Sequence, residues 1–384
     1  MRKNLFLLAS CQALMVTNMV ILGTSSALIG QSLAANKALA TLPVTLLYVA
    51  TLSVTIPASM FMGKFGRQAG FLLGSSLGFM GAVAASLALH YGSFPLFCLA
   101  TTLIGCFSGF GNYYRFAAVE GVPEASRSNA ISLVMAGGVV AAVAGPNVAR
   151  YTRDWISDTP FVGTMLVTIG IYAAIALLLL FVDSSVQVDD SSEEPARSMR
   201  EVARGRQFRV AVLSGMLGYA VMVLVMTATP LAMKHDHHSF SDTAFVIQWH
   251  VLGMFAPSFI TGRLIRRFGV FDVMLVGCVF LALSVGINLS GSSVGVFWLG
   301  LTALGVGWNF VFIGATSLLT TSYRPSEKSK AQAANDFVVF SMVAIASLAA
   351  GALQDRFGWQ AVNLSVIPMI AVVAIALLIQ RRAQ

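Results

Sequence analysis

Charge is the scarcest commodity in this sequence. Only 10% of its 384 residues are charged, whereas a soluble domain carries about a quarter. With 57% of the residues hydrophobic, a water-soluble fold of this length has too few polar groups to cover its surface. Acidic residues are scarcer than basic ones, 16 against 24, which gives a formal charge of +8. The four cysteines, Cys11, Cys98, Cys106 and Cys278, lie in apolar segments without metal-ligand spacing, so neither a disulfide framework nor a zinc site is indicated. There is also no nucleotide-binding loop, nucleophile elbow or paired-histidine motif. An enzyme, a cofactor-dependent activity and a sensor with a soluble output domain therefore find no support, and no cofactor is implied.

What fills the chain instead is a series of apolar stretches of roughly 20 residues, each long enough to cross the hydrocarbon core of a bilayer. Helices are the favoured spanning element because each satisfies its own backbone polar groups in lipid. Punctuation by charged, Gly, Pro and Ser residues places twelve spans, starting near Leu5, Leu39, Phe71, Pro95, Asn129, Phe161, Val210, Thr243, Phe271, Val294, Ala331 and Ala361. The apolar run from Leu5 to about Gly30 reads as the first span rather than a cleaved signal, since further spans follow it. The expected class is an all-α membrane protein.

If both termini face the cytoplasm, only Lys37, Arg150, Arg153, Lys234 and Arg356 of the 24 basic residues fall on the outer side, and the other nineteen fall inside. This is a strong positive-inside bias and sets the expected orientation in a bacterial inner membrane. The basic balance is then explained by topology and anionic lipid, with no nucleic-acid partner. The longest polar stretch runs from Asp183 to Gln207 and divides the chain into a first bundle (1–182), a cytoplasmic linker (183–207) and a second bundle (208–384).

The two bundles echo one another at a spacing of roughly 200 residues. Phe65, Gly66 and Arg67 after the second span stand opposite Phe268, Gly269 and Val270 after the eighth. Pro123–Arg127 stands opposite Pro325–Ser329, and Gly109–Asn112 has a looser echo in Gly305–Asn309. Duplicated halves of this kind imply a pseudo-two-fold axis along the membrane normal, a binding site near the midplane and alternating access. Twelve spans in two halves, with a short loop after the second span and a long central loop, resemble the major facilitator superfamily. Lys64, Gly66 and Arg67 fit that family's loop signature, but Gly63 stands at its acidic position and Ser59 at its leading glycine. The second copy keeps Gly262, Arg267 and Gly269, with Arg266 at the acidic position. The resemblance implies cytoplasmic gating by Lys64, Arg67, Arg266 and Arg267, without the usual carboxylate latch. It also implies a monomer.

Gly137, Gly138, Gly145 and Pro146 resemble the family's export-associated Gly-Pro signature, but they also suit a seam of close helix packing. The stretch Gln248–Phe259, with Gly307–Phe310 and Asn335–Phe337, resembles the bacterial branch of the family that contains riboflavin importers.

Polar side chains within spans are site candidates by default, although many only tie helices together. Asn18 fits cavity lining or interhelical bonding. Asn112 and Arg115 share a face of the fourth span, where Arg115 suits an anionic substrate group or a structural ion pair with Glu120. Trp308 and Asn309 offer an aromatic plane and an amide to a flat heterocycle, and Tyr219 is a candidate of the same kind. Gln248 and His250 point about 200° apart, so they cannot both face one cavity wall. Asp336 fits a gate residue paired to Arg324, Lys328 or Lys330. His235, Asp236, His237 and His238 are metal-ligand types, but consecutive spacing is poor for a closed tetrahedral site. The expected function is alternating-access uptake of riboflavin or a similar flat heterocycle; the alternative is proton-coupled efflux of an amphipathic compound.

Overall fold

The computed structural model describes residues 2–117, 124–156, 159–182 and 197–382. The first half contains α1 (Arg2–Leu33), α2 (Leu42–Phe65), α3 (Arg67–His90), α4 (Phe94–Gly111), the short α5 (Tyr114–Ala117), α6 (Glu124–Thr152) and α7 (Val162–Leu180). The remainder contains α8 (Met199–Arg204), α9 (Arg206–His235), α10 (Phe240–Phe255), α11 (Ser258–Phe268), α12 (Val270–Leu289), α13 (Val294–Thr320), α14 (Lys328–Ser365) and α15 (Ile367–Arg381). Nine segments among the described residues are long and apolar enough to cross a membrane, and α10 with α11 adds a bent tenth. One of the nine, Lys330–Arg381, holds two spans hinged at Gly358 (φ 76°), and α6 completes the twelve.

Two compact units emerge, Met1–Val188 with Ser239–Gln248, and Asp189–His238 with Trp249–Gln384. In the first unit α4 packs on α2 and α3, and α1 packs on α6. In the second, α13 packs on α12 and α9, and α9 packs on α14. Gly137 and Gly145 of α6 sit directly against Ala13 and Val20 of α1, so the small-residue seam has a packing role.

The internal repeat reaches atomic detail. The Ser93 hydroxyl accepts from the Leu96 amide at the start of α4, and the Ser293 hydroxyl accepts from the Val296 amide at the start of α13. Phe97 and Phe297, the fourth residue of each helix, are both fully buried. The loop glycines Gly66 and Gly269 share a positive φ, 88° and 89°, a conformation that L side chains adopt only with strain. Each follows a phenylalanine whose ring lies under a cation, Lys64 over Phe65 at 5.2 Å and Arg267 over Phe268 at 5.1 Å.

Three local features differ from the sequence expectation. The fourth span is interrupted: α4 ends at Gly111 and a turn at Asn112–Tyr113 precedes α5, so Asn112 and Arg115 do not share one continuous helix. The eighth span is broken at Ala256–Pro257, with α10 and α11 at 41°. The described end of the linker is not plain solvated chain. A capping box between Ser198 and Glu201 starts α8, and Arg197 grips Glu327 with Nε and an Nη at 2.7 Å each.

Candidate functional site

The most chemically distinctive group in the second unit is aromatic. Trp308 and Phe312 lie one helical turn apart on α13, so their side chains overlap, with ring centroids at 4.8 Å and planes within 11°. Tyr219 on α9 meets both rings at 5.3 Å in tilted or edge geometry, and Phe340 on α14 lies 5.9 Å from Tyr219. Trp308 is 7% exposed and its indole N–H has no acceptor among the described residues, while Tyr219, Phe312 and Phe340 are partly exposed. Trp308 therefore backs the group, and its three partners present surface. Phe340 is the member that sequence reasoning missed, because no spacing along the chain links α14 to α13.

Asn309 is next to Trp308 but faces elsewhere. Its Nδ2 donates to the Met254 carbonyl at 2.6 Å and to the Ser258 hydroxyl at 2.7 Å, and its Oδ1 accepts from Thr261 at 2.7 Å. At 1% exposure its amide is fully engaged between α13 and the α10–α11 break. His250 is likewise buried, with Nδ1 2.8 Å from the Leu301 carbonyl of α13. The close approach of α10 to α13 that permits this contact is set by Gly253 and Gly305, where a Cβ would meet backbone of the opposite helix. Gln248 accepts from the Asn147 amide of α6 at 2.7 Å. Gln248 and His250 thus serve different helix faces, as their angular separation requires.

In the first unit Asn18 is fully buried on α1. Its amide neighbours the Tyr172 hydroxyl of α7, but neither group is in hydrogen-bond geometry. Asn112 caps α4 and stays partly exposed, and the hydroxyl of the adjacent Tyr113 donates to the Thr55 carbonyl of α2 at 3.0 Å. The side chain of Arg115, and Glu120 with it, lie outside the described residues.

At the loop after α2, Lys64 is exposed and Arg67 partly so, and Gln68 donates to the Leu179 and Leu180 carbonyls that end α7. Gln68 was not singled out in the sequence, since the end of α7 is more than 100 residues away. Arg266 and Arg267 are exposed on α11. Asp336, near the start of α14, accepts from Asn335 at 3.1 Å. The best-held acid in this region is Glu327, which binds Arg197 side chain and backbone and the Arg324 amide. The Arg197 guanidinium pushes the Glu327 carboxyl down to about 2. His235 pairs with Asp236, and His238 lies 2.6 Å from the Ser292 carbonyl; among the described residues no group of three or more metal-ligating side chains is assembled.

The sequence profile of the Major Facilitator Superfamily matches residues 6–231 and 211–384. The chain is 40% identical over 381 residues to the riboflavin transporter RfnT of Brucella anthropi, covering 99% of this chain and 96% of that protein. It is 27% identical to the MFS-type transporter YddS of Bacillus subtilis over 86% of this chain and 79% of that one. Its fold is similar to that of the nucleoside transporter NupG, with a TM-score of 0.71 at 13% identity over 97% of this chain and 99% of that one. A POT family transporter solved with 5-aminolevulinic acid gives a TM-score of 0.74 at 13% identity over 98% and 94%. With twelve helical spans in duplicated halves and a profile match along nearly its whole length, this multi-pass membrane protein belongs to the major facilitator superfamily.

Proposed function

We propose that this transporter takes up riboflavin, or a flat heterocycle like it, across a bacterial inner membrane by alternating access, with both termini in the cytoplasm. The observation that carries the proposal is the 40% identity, over nearly the full length of both chains, to a protein named as a riboflavin transporter. The aromatic group around Trp308 supports it on physical grounds. An isoalloxazine-type ring offers a large π face, and stacked or edge-on aromatic contacts contribute about 0.5–1.5 kcal/mol each beyond area burial. Tyr219, Phe312 and Phe340 supply the surface and Trp308 the rigid backing. Lys64, Arg67, Arg266, Arg267 and Asp336 are assigned to cytoplasmic gating, the bundles 1–182 and 208–384 to the two moving bodies, and the monomer to the working unit.

The test is uptake of labelled riboflavin by riboflavin-requiring cells expressing the chain, with and without collapse of the proton gradient. A Trp308→Ala variant, matched for membrane insertion, runs beside it. Saturable uptake that the variant loses supports both substrate and site, and its response to the gradient decides coupling. Absence of uptake from well-inserted protein overturns the riboflavin assignment and turns the search to efflux substrates.

A further inference from the structure

Pro257 has no N–H, so the Gly253 carbonyl loses its helical donor where α10 meets α11. Among the described residues, no α11 amide reaches the carbonyls of Gly253, Met254 or Phe255, and the Phe259 amide turns to Ala256 at 3.4 Å. Orphaned carbonyls inside a bundle cost about 1–3 kcal/mol each, so a break of this kind needs outside partners. Asn309 is that partner. Its amide takes the Met254 carbonyl and the Ser258 hydroxyl, and accepts from Thr261, whose hydroxyl also lies 2.8 Å from the Pro257 carbonyl.

The first unit treats the same place in the repeat differently. The register of the caps and loop glycines corrects the looser sequence echo: Gly105, and not Gly109, stands opposite Gly305, so Gly109 stands where Asn309 stands, Thr51 where Met254 stands and Val54 where Pro257 stands. There α2 runs unbroken past the position and on through its own Pro57, one turn later, and a Cβ on Gly109 would lie 3.1 Å from the Thr51 carbonyl oxygen and 3.2 Å from Val54. A Gly and Val pairing thus suffices for a continuous span in this architecture. The second unit carries Pro and Asn together, one making the break and the other holding it.

We propose that Asn309 is a positioning residue for transport, which staples the broken eighth span to α13 and keeps the α10–α11 break as a working hinge. The segment beyond the hinge, α11, carries Arg263, Arg266 and Arg267, so bending there moves a basic cluster without unpacking α10 from α13. The inference rests on the transporter reading but not on riboflavin as the substrate.

The deciding variant is the double substitution Pro257→Val with Asn309→Gly, which installs the first unit's pairing in the second. It is compared with Asn309→Gly alone by thermal unfolding, amide hydrogen exchange and riboflavin uptake into proteoliposomes. The single variant is expected to melt lower and to exchange faster around residues 255–260. The double variant is expected to regain stability and to protect the Ser258 and Phe259 amides by about tenfold as the helix closes. Its maximal uptake rate should fall about tenfold with little change in KM, because the hinge and not the binding surface has been removed. A merely structural asparagine would recover uptake along with stability, and that result overturns the proposal, as does unchanged exchange at Ser258 and Phe259. Should the double variant fail to insert, Thr261→Val removes one staple bond at nearly constant volume. Faster exchange and slower uptake then support the staple, and wild-type values for both overturn it. If wild-type protein carries no riboflavin, the substrate reading fails on its own, and exchange and melting still decide the staple.

Discussion

Along α4 the first unit presents Ser108, Gly109 and Asn112, where α13 of the second presents Trp308, Asn309 and Phe312. The surrounding skeleton is shared, down to the serine caps, the buried Phe97 and Phe297, and glycines at Gly105 and Gly305 that press on the Leu47 and His250 carbonyls. Ser108 bonds back to the Ile104 carbonyl of its own helix at 3.1 Å, whereas Trp308 stacks on Phe312 and meets Tyr219 of α9. Duplication has kept what lets the helices approach and changed what they show. The second unit is aromatic and the first polar and small at the same positions, so matched substitutions in the two halves separate shared scaffold from specialised surface.

The largest contrast is expected between Trp308→Ala and Ser108→Ala. Truncating a nearly buried tryptophan costs about 3–5 kcal/mol and removes the backing of the aromatic group, so riboflavin uptake should fall more than about tenfold. Ser108→Ala keeps helix and packing, and should change stability by no more than about 0.5 kcal/mol. Trp308→Phe retains a ring for Phe312 to stack on and should recover much of the uptake. Equal losses from Trp308→Ala and Ser108→Ala, measured as initial rates at matched membrane levels, would break the comparison.

A smaller and symmetric effect is expected where the halves agree. A Cβ at Gly105 or at Gly305 would overlap a backbone carbonyl oxygen of the neighbouring helix, and backbone cannot swing aside as a side chain can. Gly105→Ala and Gly305→Ala should each lower stability by about 1–3 kcal/mol, read as melting temperature in detergent. Gly109→Ala, with its nearest contact at 3.1 Å, should cost less than either. A mild Gly305→Ala beside a severe Gly105→Ala would show that the broken eighth span yields where α2 does not.

The sequence made the spans, the loop signatures and the duplication legible, because each is written in composition or in residues adjacent along the chain. The direction in which a polar residue faces was not legible. Lipid tails and bundle core are both apolar, so a membrane helix lacks the hydrophobic period that marks the inner face of a soluble one. Asn18 lies fully buried beside the Tyr172 hydroxyl of α7, and Asn309, the neighbour of Trp308, reaches partners on α10 and α11 some 50 residues earlier. Pro257 stands in the sequence as one proline within an apolar span, but the partner that holds the break there is that distant amide. The interruption of the fourth span at Asn112–Tyr113 is marked only by Gly111 and Asn112, and such residues are poor guides here, since Gly307 and Asn309 lie inside an unbroken α13.

The smallest effect is expected at the linker, whose described end is held by Glu327 of the second unit. Glu327 is 2% exposed and grips Arg197, and the paired guanidinium holds its carboxyl at about 2 instead of the ordinary 4.5. A depressed carboxyl pKa contributes stability that is fully present above the ordinary value and is lost as pH falls through the depressed one. The anchor of the linker should therefore be constant between pH 5 and 8 and should loosen only as pH drops from about 4.5 toward 2. Glu327→Gln removes the ion pair at every pH, leaving Arg197 and the start of α8 free to fray. Tryptic cleavage after Arg197 and Arg200, corrected for the protease's own pH profile, should be faster in the variant and flat with pH in the wild type. Uptake should change by no more than about twofold, since the pair lies at the linker and away from the aromatic group around Trp308. Wild-type cleavage that rises sharply between pH 7 and 5 would show that the Arg197–Glu327 pair does not anchor the linker.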